Sequence, residues 1–283
     1  MAELLKRTLK PVDNQTISWA QEIRRKARVL HDAAYFTKHH GTEEIKDPGQ
    51  TGWRKSVIPP VALLASFDPY LTISQGFTLR AYQMIYEECT DGIVYGMPLK
   101  APFPEPHECM VKRADCADRM VPTPSDALPH VMQAIERMEI LPIEIEYFIA
   151  SILLRELKGF GLAFEWHNET LISTLPWETP EALHLFDAMK NGSPNPHAFT
   201  VDAAHTPDSK ESWAVSKEPG LWAPHTLVDE ETITIVFHTF TSHYYQKALQ
   251  YRDTYRRGAG KEMDLVPQSE VEEIAKGTGA SWM

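Results

Sequence analysis

Several features that define common protein classes are missing from this sequence of 283 residues. It contains three cysteines, Cys89, Cys109 and Cys116, and no Cys-x-x-Cys pair, which argues against a disulfide framework and against a thiolate zinc site. No apolar run approaches the roughly 20 residues that a membrane-spanning helix needs, and residues 1–10 lack the apolar segment of a secretory signal. We therefore expect a cytoplasmic location and reduced cysteines.

Motifs of three large enzyme classes are also absent from the sequence. It has no Gly-x-Ser-x-Gly elbow, no Gly-x-Gly-x-x-Gly loop after a predicted strand and no Walker loop. These absences argue against a serine hydrolase of the common type, a dinucleotide-binding enzyme and a P-loop enzyme.

Negative charge dominates the composition, with a formal net charge of -11, but its distribution along the chain is uneven. Lys and Arg outnumber Asp and Glu in residues 1–60, whereas residues 61–283 are strongly acidic. The basic residues are densest in Arg24-Arg25-Lys26-Ala27-Arg28, on a predicted helix. Such a cluster can contact phosphates, although a solvated helix face has the same composition.

Hydrophobic periodicity and turn residues divide the chain into predicted strands and helices that alternate. The predicted strands are Val61–Ala65, Ile93–Met97, Gly161–Leu175, Ala198–Ala203 and Thr232–Phe240. The predicted helices are Thr16–Phe36 (capped by Asn14 or Thr16), the segment between the first two strands, Leu128–Met138, Ile143–Leu157, Thr179–Asn191, a helix from Thr241 or Ser242 to Arg257 and, weakly, Ser269–Lys276. Alternation of this kind predicts an α/β layered fold with a largely parallel sheet flanked by helices.

The predicted fold has three parts and one pocket. An N-terminal basic helix and loop covers residues 1–60, an α/β catalytic domain covers 61–258, and a peripheral tail covers 259–283. A parallel sheet binds ligands beyond the carboxyl ends of its strands, so Ser66, Asp68 and Tyr70 lie where a pocket would form. Ser66 is either a nucleophile activated by a base or a hydrogen-bond network, or the cap of the following turn.

Histidines offer a second kind of chemistry. His167 and Glu169 alternate along a predicted strand and therefore share a face, and His238 or His243 would add a second imidazole. Two histidines and one carboxylate form an iron or zinc site that leaves positions free for substrate or dioxygen. The alternative is that these histidines have structural or surface roles.

Two stretches resemble a known enzyme family. Val61-Ala62-Leu63-Leu64-Ala65-Ser66, followed by Tyr70 and by Thr90-Asp91-Gly92-Ile93-Val94-Tyr95, resembles the strand, serine turn, helix and second strand that open the catalytic domain of cyclodipeptide synthases. Glu146-Tyr147-Phe148-Ile149-Ala150-Ser151 and then Trp166-His167 are similar to the tyrosine-bearing helix and following strand of that family. The resemblance covers about residues 60–170. It implies a Rossmann-like fold and transfer of aminoacyl groups from charged tRNA onto the serine, which yields a cyclic dipeptide.

The resemblance assigns roles to individual residues. Ser66 would accept the acyl group, and Tyr147 would orient the amino group. Beside the resemblance, we expect His167 to be the third catalytic residue of a pocket at the carboxyl end of the sheet. The substrate pocket would be lined by Asp68, Tyr70, Trp166 and Glu169.

The chain departs from that family at two points. Ser151 stands where the family has a glutamate one helical turn after the tyrosine, so the amine-binding carboxylate would come from Glu146, Glu165 or Glu169. The long basic helix of the family is missing. Its tRNA-binding role would fall to the N-terminal cluster of Arg24, Arg25, Lys26 and Arg28.

The sequence thus predicts a small-molecule biosynthetic enzyme that transfers aminoacyl groups through Ser66 without a cofactor. The first alternative is an iron- or zinc-dependent oxygenase or hydrolase that acts on a small molecule. The second alternative is a non-catalytic interaction protein, because a fold does not fix a function.

Overall fold

The computed structural model describes residues 7–40, 53–56, 59–86, 89–105, 110–112, 122–124, 131–158, 160, 169–172, 213–216, 219–241, 247–258, 260–265 and 270–277. Its elements, in chain order, are β1 (Thr8–Pro11), α1 (Asn14–His40), β2 (Trp53–Lys55), α2 (Val61–Leu64), β3 (Leu71–Ile73), β4 (Phe77–Tyr86), β5 (Cys89–Pro98), β6 (Met110–Lys112), β7 (Pro122–Pro124), β8 (Ile135–Arg137), α3 (Ile143–Lys158), β9 (Glu169–Ile172), β10 (Trp213–Val215), β11 (His225–Val228), β12 (Thr232–Thr241), β13 (Lys247–Arg256) and β14 (Glu270–Gly277). Short 3-10 helices cover Ala65–Phe67 and Val131–Ala134. None of the helices in these ranges is both long enough and apolar enough to cross a membrane.

The chain divides into two compact units. The first unit combines Met1–Gln21, Asn168–Tyr255 and Val266–Met283. The second unit combines Glu22–His167 and Arg256–Leu265. The three-part division at residues 60 and 258 stays a prediction.

Seven strands of the described residues form one sheet in the first unit: six lie in the order β1-β11-β12-β13-β14-β10, and the seventh, β9, pairs with β12. The long strand β12 pairs with two short strands along one edge, since β11 lies opposite residues 233–236 and β9 lies opposite residues 238–241. These pairings are antiparallel, as are those of β1 with β11 and of β14 with β13 and β10. Because β12 has neighbours on both edges, it lies at the centre of the sheet.

One face of β12 forms the apolar core of the first unit. Ile233, Ile235 and Phe237 alternate along the strand and are fully buried. The ring of Phe237 stacks on Tyr251 of β13 with centroids 5.1 Å apart. Side chains on the opposite face are mostly polar.

The predicted Rossmann-like fold with a largely parallel sheet is wrong, because the strands pair antiparallel. The first predicted strand, Val61–Ala65, is instead α2 followed by a 3-10 turn. The carbonyls of Pro59 and Pro60 accept hydrogen bonds from the N–H groups of Ala62 and Leu63, both at 3.0 Å. The fixed φ of proline favours a first helical turn, and a short apolar run does not distinguish a strand from such a turn.

The predicted helix between the first two strands is also wrong. Residues 77–86 form β4, which pairs antiparallel with β5 from Phe77↔Pro98 to Tyr86↔Cys89. The segment is rich in Thr, Tyr and Ile, which favour strands. Ile93–Met97 is confirmed as a strand within β5, but its partner makes a hairpin instead of a strand–helix–strand crossover.

Two predicted helices near the carboxyl end are strands as well. The helix predicted up to Arg257 is β13 over residues 247–256, and the weakly helical tail is β14. The charged residues of β13 and β14 have spacings that are also typical of i,i+4 pairs on a helix. In the structure they pair across the sheet, as Lys247 of β13 does with Glu273 of β14 at 2.9 Å. Burial follows the strand period of two along most of β13.

Other predictions have mixed outcomes. The helices α1 and α3 and the strand β12 are confirmed. The cap of α1 is Asp13 instead of Asn14 or Thr16, since its carboxylate accepts hydrogen bonds from the backbone N–H and the hydroxyl of Thr16 at 2.8 and 2.7 Å. The helix predicted over residues 128–138 is a 3-10 turn and β8 where it is described. The predicted elements over 179–191 and 198–203, and most of the strand predicted over 161–175, lie outside the described residues.

The second unit contains a buried ion pair at the start of α3. One oxygen of Glu146 accepts a hydrogen bond from Nη1 of Arg137 at 3.1 Å, and the other accepts the N–H groups of Ile140 and Leu141 at 2.7 and 3.3 Å. Arg137 also donates to the carbonyl of Gly260. Both charged side chains are at most 4% exposed. The pair therefore joins α3, β8, the loop before α3 and the segment around residue 260.

We expect Glu146→Leu or Arg137→Met alone to lower the free energy of unfolding by about 3–5 kcal/mol, because each leaves an uncompensated buried charge. Urea denaturation with a constant m-value measures this. The double variant should lose less than the sum of the single losses. Arg256→Gln, which breaks an exposed pair with Asp264, is the matched control and should cost about 1 kcal/mol or less. Equal effects of the buried and exposed changes would contradict the prediction.

Candidate functional site

Polar side chains from three adjacent strands share one face of the seven-stranded sheet. We call this the polar face. It is the side of β12 opposite to Ile233, Ile235 and Phe237. Its polar members are His225 of β11, Thr234 and His238 of β12, and Gln250, Arg252 and Thr254 of β13.

Two contacts fix how β12 and β13 align on the polar face. Oγ1 of Thr234 lies 3.1 Å from Oγ1 of Thr254, and Nε2 of His238 lies 2.9 Å from Nε2 of Gln250. Because side chains alternate along strands, Val236, midway between Thr234 and His238, lies opposite Arg252. On its other edge Val236 is opposite His225. His225 and Arg252 therefore flank the same small apolar residue.

His238 is a neutral, fully hydrogen-bonded side chain. Its Nδ1 lies 2.8 Å from the carbonyl oxygen of Trp222, which can only accept, so Nδ1 carries the proton. Nε2 then accepts from the side-chain amide of Gln250. Burial lowers the pKa of His238 from 6.5 to about 4. The ring is thus neutral at neutral pH and connects the segment around Trp222 to β13.

Two consecutive carbonyls of that segment orient both histidines. The carbonyl of Trp222 accepts from His238, and the carbonyl of Ala223 lies 2.9 Å from Nδ1 of His225. The next carbonyl, of Pro224, accepts the N–H of Val12 at 2.9 Å. The backbone of residues 222–224 is therefore fixed at three successive positions. This segment sets the direction of each imidazole.

His225 presents an acceptor on the polar face. Burial lowers the pKa of His225, and the positive charge of Arg252 lowers it further. With Nδ1 donating to Ala223, the neutral ring has its lone pair on Nε2. No residue in the described ranges donates a hydrogen bond to that atom. His225 as a whole is buried, with 8% of its surface exposed.

Arg252 supplies positive charge at the same place. Its Nε lies 3.5 Å from a carboxylate oxygen of Glu270 on β14, and the two side chains are 33% and 70% exposed. An ion pair of this length and exposure contributes little free energy. The guanidinium can therefore exchange Glu270 for the anionic group of a ligand at small cost.

An apolar wall bounds the polar face at the His238 end. The indole of Trp222 lies against the imidazole of His238 with centroids 5.2 Å apart. It also packs in an apolar cluster with residues of β12, β13 and β14, namely Phe240, Ala248, Ile274 and Ala275. A positive group, a neutral acceptor and an aromatic wall are the usual constituents of a small-molecule site.

The residues predicted around Ser66 have different environments. Ser66 is half-buried in the 3-10 helix Ala65–Phe67, and Asp68, joined to Pro69 by a cis peptide bond, is exposed. Tyr70 is half-buried, and its carbonyl accepts the N–H of Met138 at 2.9 Å. Trp166 and His167 lie outside the described residues, so their predicted convergence with Ser66 stays a prediction.

Tyr147 is buried in α3. Its ring lies 5.1 Å from the guanidinium of Arg137, and its hydroxyl donates to the carbonyl of Arg256 at 3.4 Å. Burial raises the pKa of the Tyr147 phenol, which therefore stays protonated at neutral pH. Glu146, one possible amine-binding carboxylate, is held by the buried ion pair described above.

The predicted metal ligands have only partly known positions. His167 and His243 lie outside the described residues, and of Glu169 only the backbone is described, opposite Thr241. His238 would have to break one of its two hydrogen bonds to bind a metal. Among the described residues, no group of three His, Cys, Asp or Glu side chains could hold a metal ion.

The basic cluster of α1 is partly engaged within the protein. Arg24 pairs with the buried Glu156 of α3 at 3.0 Å and is 10% exposed. Arg25 pairs with the exposed Glu22 at 2.7 Å, and Lys26 lies 4.0 Å from the same carboxylate. The side chain of Arg28 lies outside the described residues. Contact of this cluster with RNA stays a prediction.

We expect stability to fall on acidification partly through His238. Its pKa is about 4 in the folded protein, against an ordinary value of 6.5, so the unfolded chain binds the extra proton between these values. Stability from this group is complete above about pH 6.5, and about 3 kcal/mol is lost on acidification to about pH 4. Urea unfolding across this range should give a flatter pH profile for His238→Gln than for the wild type. Parallel profiles would contradict the prediction.

Comparison with known proteins does not assign this chain to a family. No protein-family model matches the sequence, no curated protein matches it, and no solved structure matches the fold. Function must therefore be argued from the residues of the candidate site.

Proposed function

We propose that the first unit binds a small molecule that carries a carboxylate, on the polar face of its sheet. The observation that supports the proposal most is the placement of Arg252 and His225 on either side of Val236. Two neighbouring strand spacings separate them, about 10 Å between backbones. A side chain as long as arginine spans most of that distance, so both polar groups can reach one ligand.

The two groups recognise different parts of such a ligand. The guanidinium of Arg252 matches a carboxylate with two parallel N–H donors. The neutral Nε2 of His225 accepts a hydrogen bond from a hydroxyl or N–H beside that carboxylate. A 2-hydroxycarboxylate is the simplest molecule with both features. Val236, which lies between them, is only 1% exposed, so hydrogen bonds made beside it are shielded from water.

The Arg252→Gln variant tests this proposal. With lactate and then malate as probes, isothermal titration calorimetry should show at least tenfold weaker binding, a loss of about 1.4 kcal/mol, because the charge-assisted hydrogen bonds are removed. Glu270→Gln should bind more tightly than the wild type, since it removes the competing carboxylate. Arg7→Gln, which changes an exposed arginine paired with Asp229 in the same unit, is the matched control and should bind as the wild type does. Equal affinities of Arg252→Gln and Arg7→Gln would contradict the proposal.

Aminoacyl transfer through Ser66 stays a prediction of the resemblance to cyclodipeptide synthases, although the fold that the resemblance implies is wrong. Its support is a half-buried serine close in the chain to Tyr70. If Ser66 is the acyl acceptor, Ser66→Ala abolishes cyclic dipeptide formation from charged tRNA but keeps the cooperative unfolding transition. Ribonuclease should stop the reaction, and Ser56→Ala should retain it. Full activity after either the Ser66 change or ribonuclease treatment would contradict this prediction.

A further inference from the structure

A proline-rich segment of the second unit packs across the sheet formed by β2, β4 and β5. We call this segment, residues 101–105 (Ala-Pro-Phe-Pro-Glu), the strap. The ring of Phe103 stacks on Tyr82 with centroids 4.4 Å apart and planes inclined by 24°. The hydroxyl of Tyr82 donates to the carbonyl of Pro104 at 2.8 Å. One tyrosine thus contacts both the side chain and the backbone of the strap.

Two cations complete the surface beneath the strap. Nζ of Lys55 lies 5.6 Å and Cζ of Arg80 lies 5.7 Å from the centroid of the Phe103 ring, so both are within range of cation–π attraction. Lys55 also forms an ion pair with Glu105 at the end of the strap. Nε of Arg80 is buried and has no hydrogen-bond partner in the described part of the chain.

The sheet surface beneath the strap is more deeply buried than the strap itself. Tyr82 is fully buried, and with Tyr95 and Met97 it forms a core cluster on the sheet. The strap is held by Ala101 and the half-buried ring of Phe103, which both pack on this cluster, by the carbonyl of Pro104 and by an ion pair whose side chains are 36% and 51% exposed. Such an exposed ion pair contributes little free energy, so the strap is held mainly by the apolar contacts of Ala101 and Phe103.

The contacts of the strap define what the surface recognises. Proline has no N–H to donate, and a proline-rich segment is already extended before it binds, so its free carbonyls and intervening side chains are what a partner contacts. In the strap, the ring of Phe103 stacks on Tyr82, the carbonyl of Pro104 accepts from the hydroxyl of Tyr82, and the carboxylate of Glu105 pairs with Lys55. Aromatic-lined grooves bind proline-rich peptides in this mode.

We propose that this sheet face is a docking surface for a peptide in which an aromatic residue lies between two prolines and an acidic residue follows. The strap is the occupant within the same chain. Because it is tethered, the strap has a high effective concentration and excludes a free peptide until it is lifted. This proposal is independent of the polar face of the first unit.

Weakening the strap in the full chain tests the proposal. The probe is a fluorescein-labelled Ala-Pro-Phe-Pro-Glu-Pro peptide with blocked ends, and binding is measured by fluorescence anisotropy. Phe103→Ala should bind it at least tenfold more tightly than the wild type, and Glu105→Gln should give a smaller increase. A peptide with alanine in place of its phenylalanine should not bind either variant.

Two further measurements decide the result. Adding Lys55→Gln to Phe103→Ala should weaken peptide binding, because the acceptor for the acidic residue is lost. No gain in affinity for a Phe103→Ala protein that unfolds cooperatively would overturn the proposal, as would indifference to Lys55→Gln. If Phe103→Ala does not fold, Glu105→Gln decides, and an affinity equal to that of the wild type overturns the proposal.

Discussion

The hydrogen bonds of the buried His238 ring are the constraint on which the candidate site depends. Nδ1 donates to the carbonyl of Trp222 and Nε2 accepts from Gln250, so one neutral imidazole connects the segment around residue 222 to the sheet. The next carbonyl in that segment, of Ala223, directs His225. Burial lowers the pKa of His238 to about 4, which keeps this arrangement intact at neutral pH. A protonated His238 could not accept from Gln250.

Both units use buried polar groups whose partners come from separate parts of the chain. In the second unit, Glu146 collects Arg137 and two backbone N–H groups. In the first unit, His238 has the corresponding role without a charge. A fully satisfied group of this kind favours a single arrangement of the segments that it joins, because losing any partner leaves a buried polar atom unpaired. Arg252, in its exposed pair with Glu270, and the Nε2 atom of His225 are the groups that the proposed ligand would contact.

The sequence predicted the parts of the fold that local pattern determines. The long periodic helices α1 and α3 and the β-branched strand β12 are confirmed, because each has a repeated pattern over many residues. The predicted parallel sheet is wrong because the alternation behind it takes the apolar run after Pro60 as a strand and takes β4 and β13 as helices. The sequence leaves two roles open for His238, metal ligand or structural residue, and its buried ring with two hydrogen bonds has the structural role. The role of His225 is not predicted from the sequence, since it depends on pairing across β11, β12 and β13. The one sequence feature that indicates the polar face is the alternation of Thr234, Val236 and His238 along β12.

The most direct test of the polar face as a ligand site is the imidazole nitrogen spectrum of ¹⁵N-labelled protein during titration with lactate. Binding at Arg252 and His225 predicts a saturable shift of the Nε2 resonance of His225. His238 should keep the Nδ1–H tautomer and an unchanged resonance throughout. An unmoved His225, or equal shifts of all histidines, would contradict the proposed site.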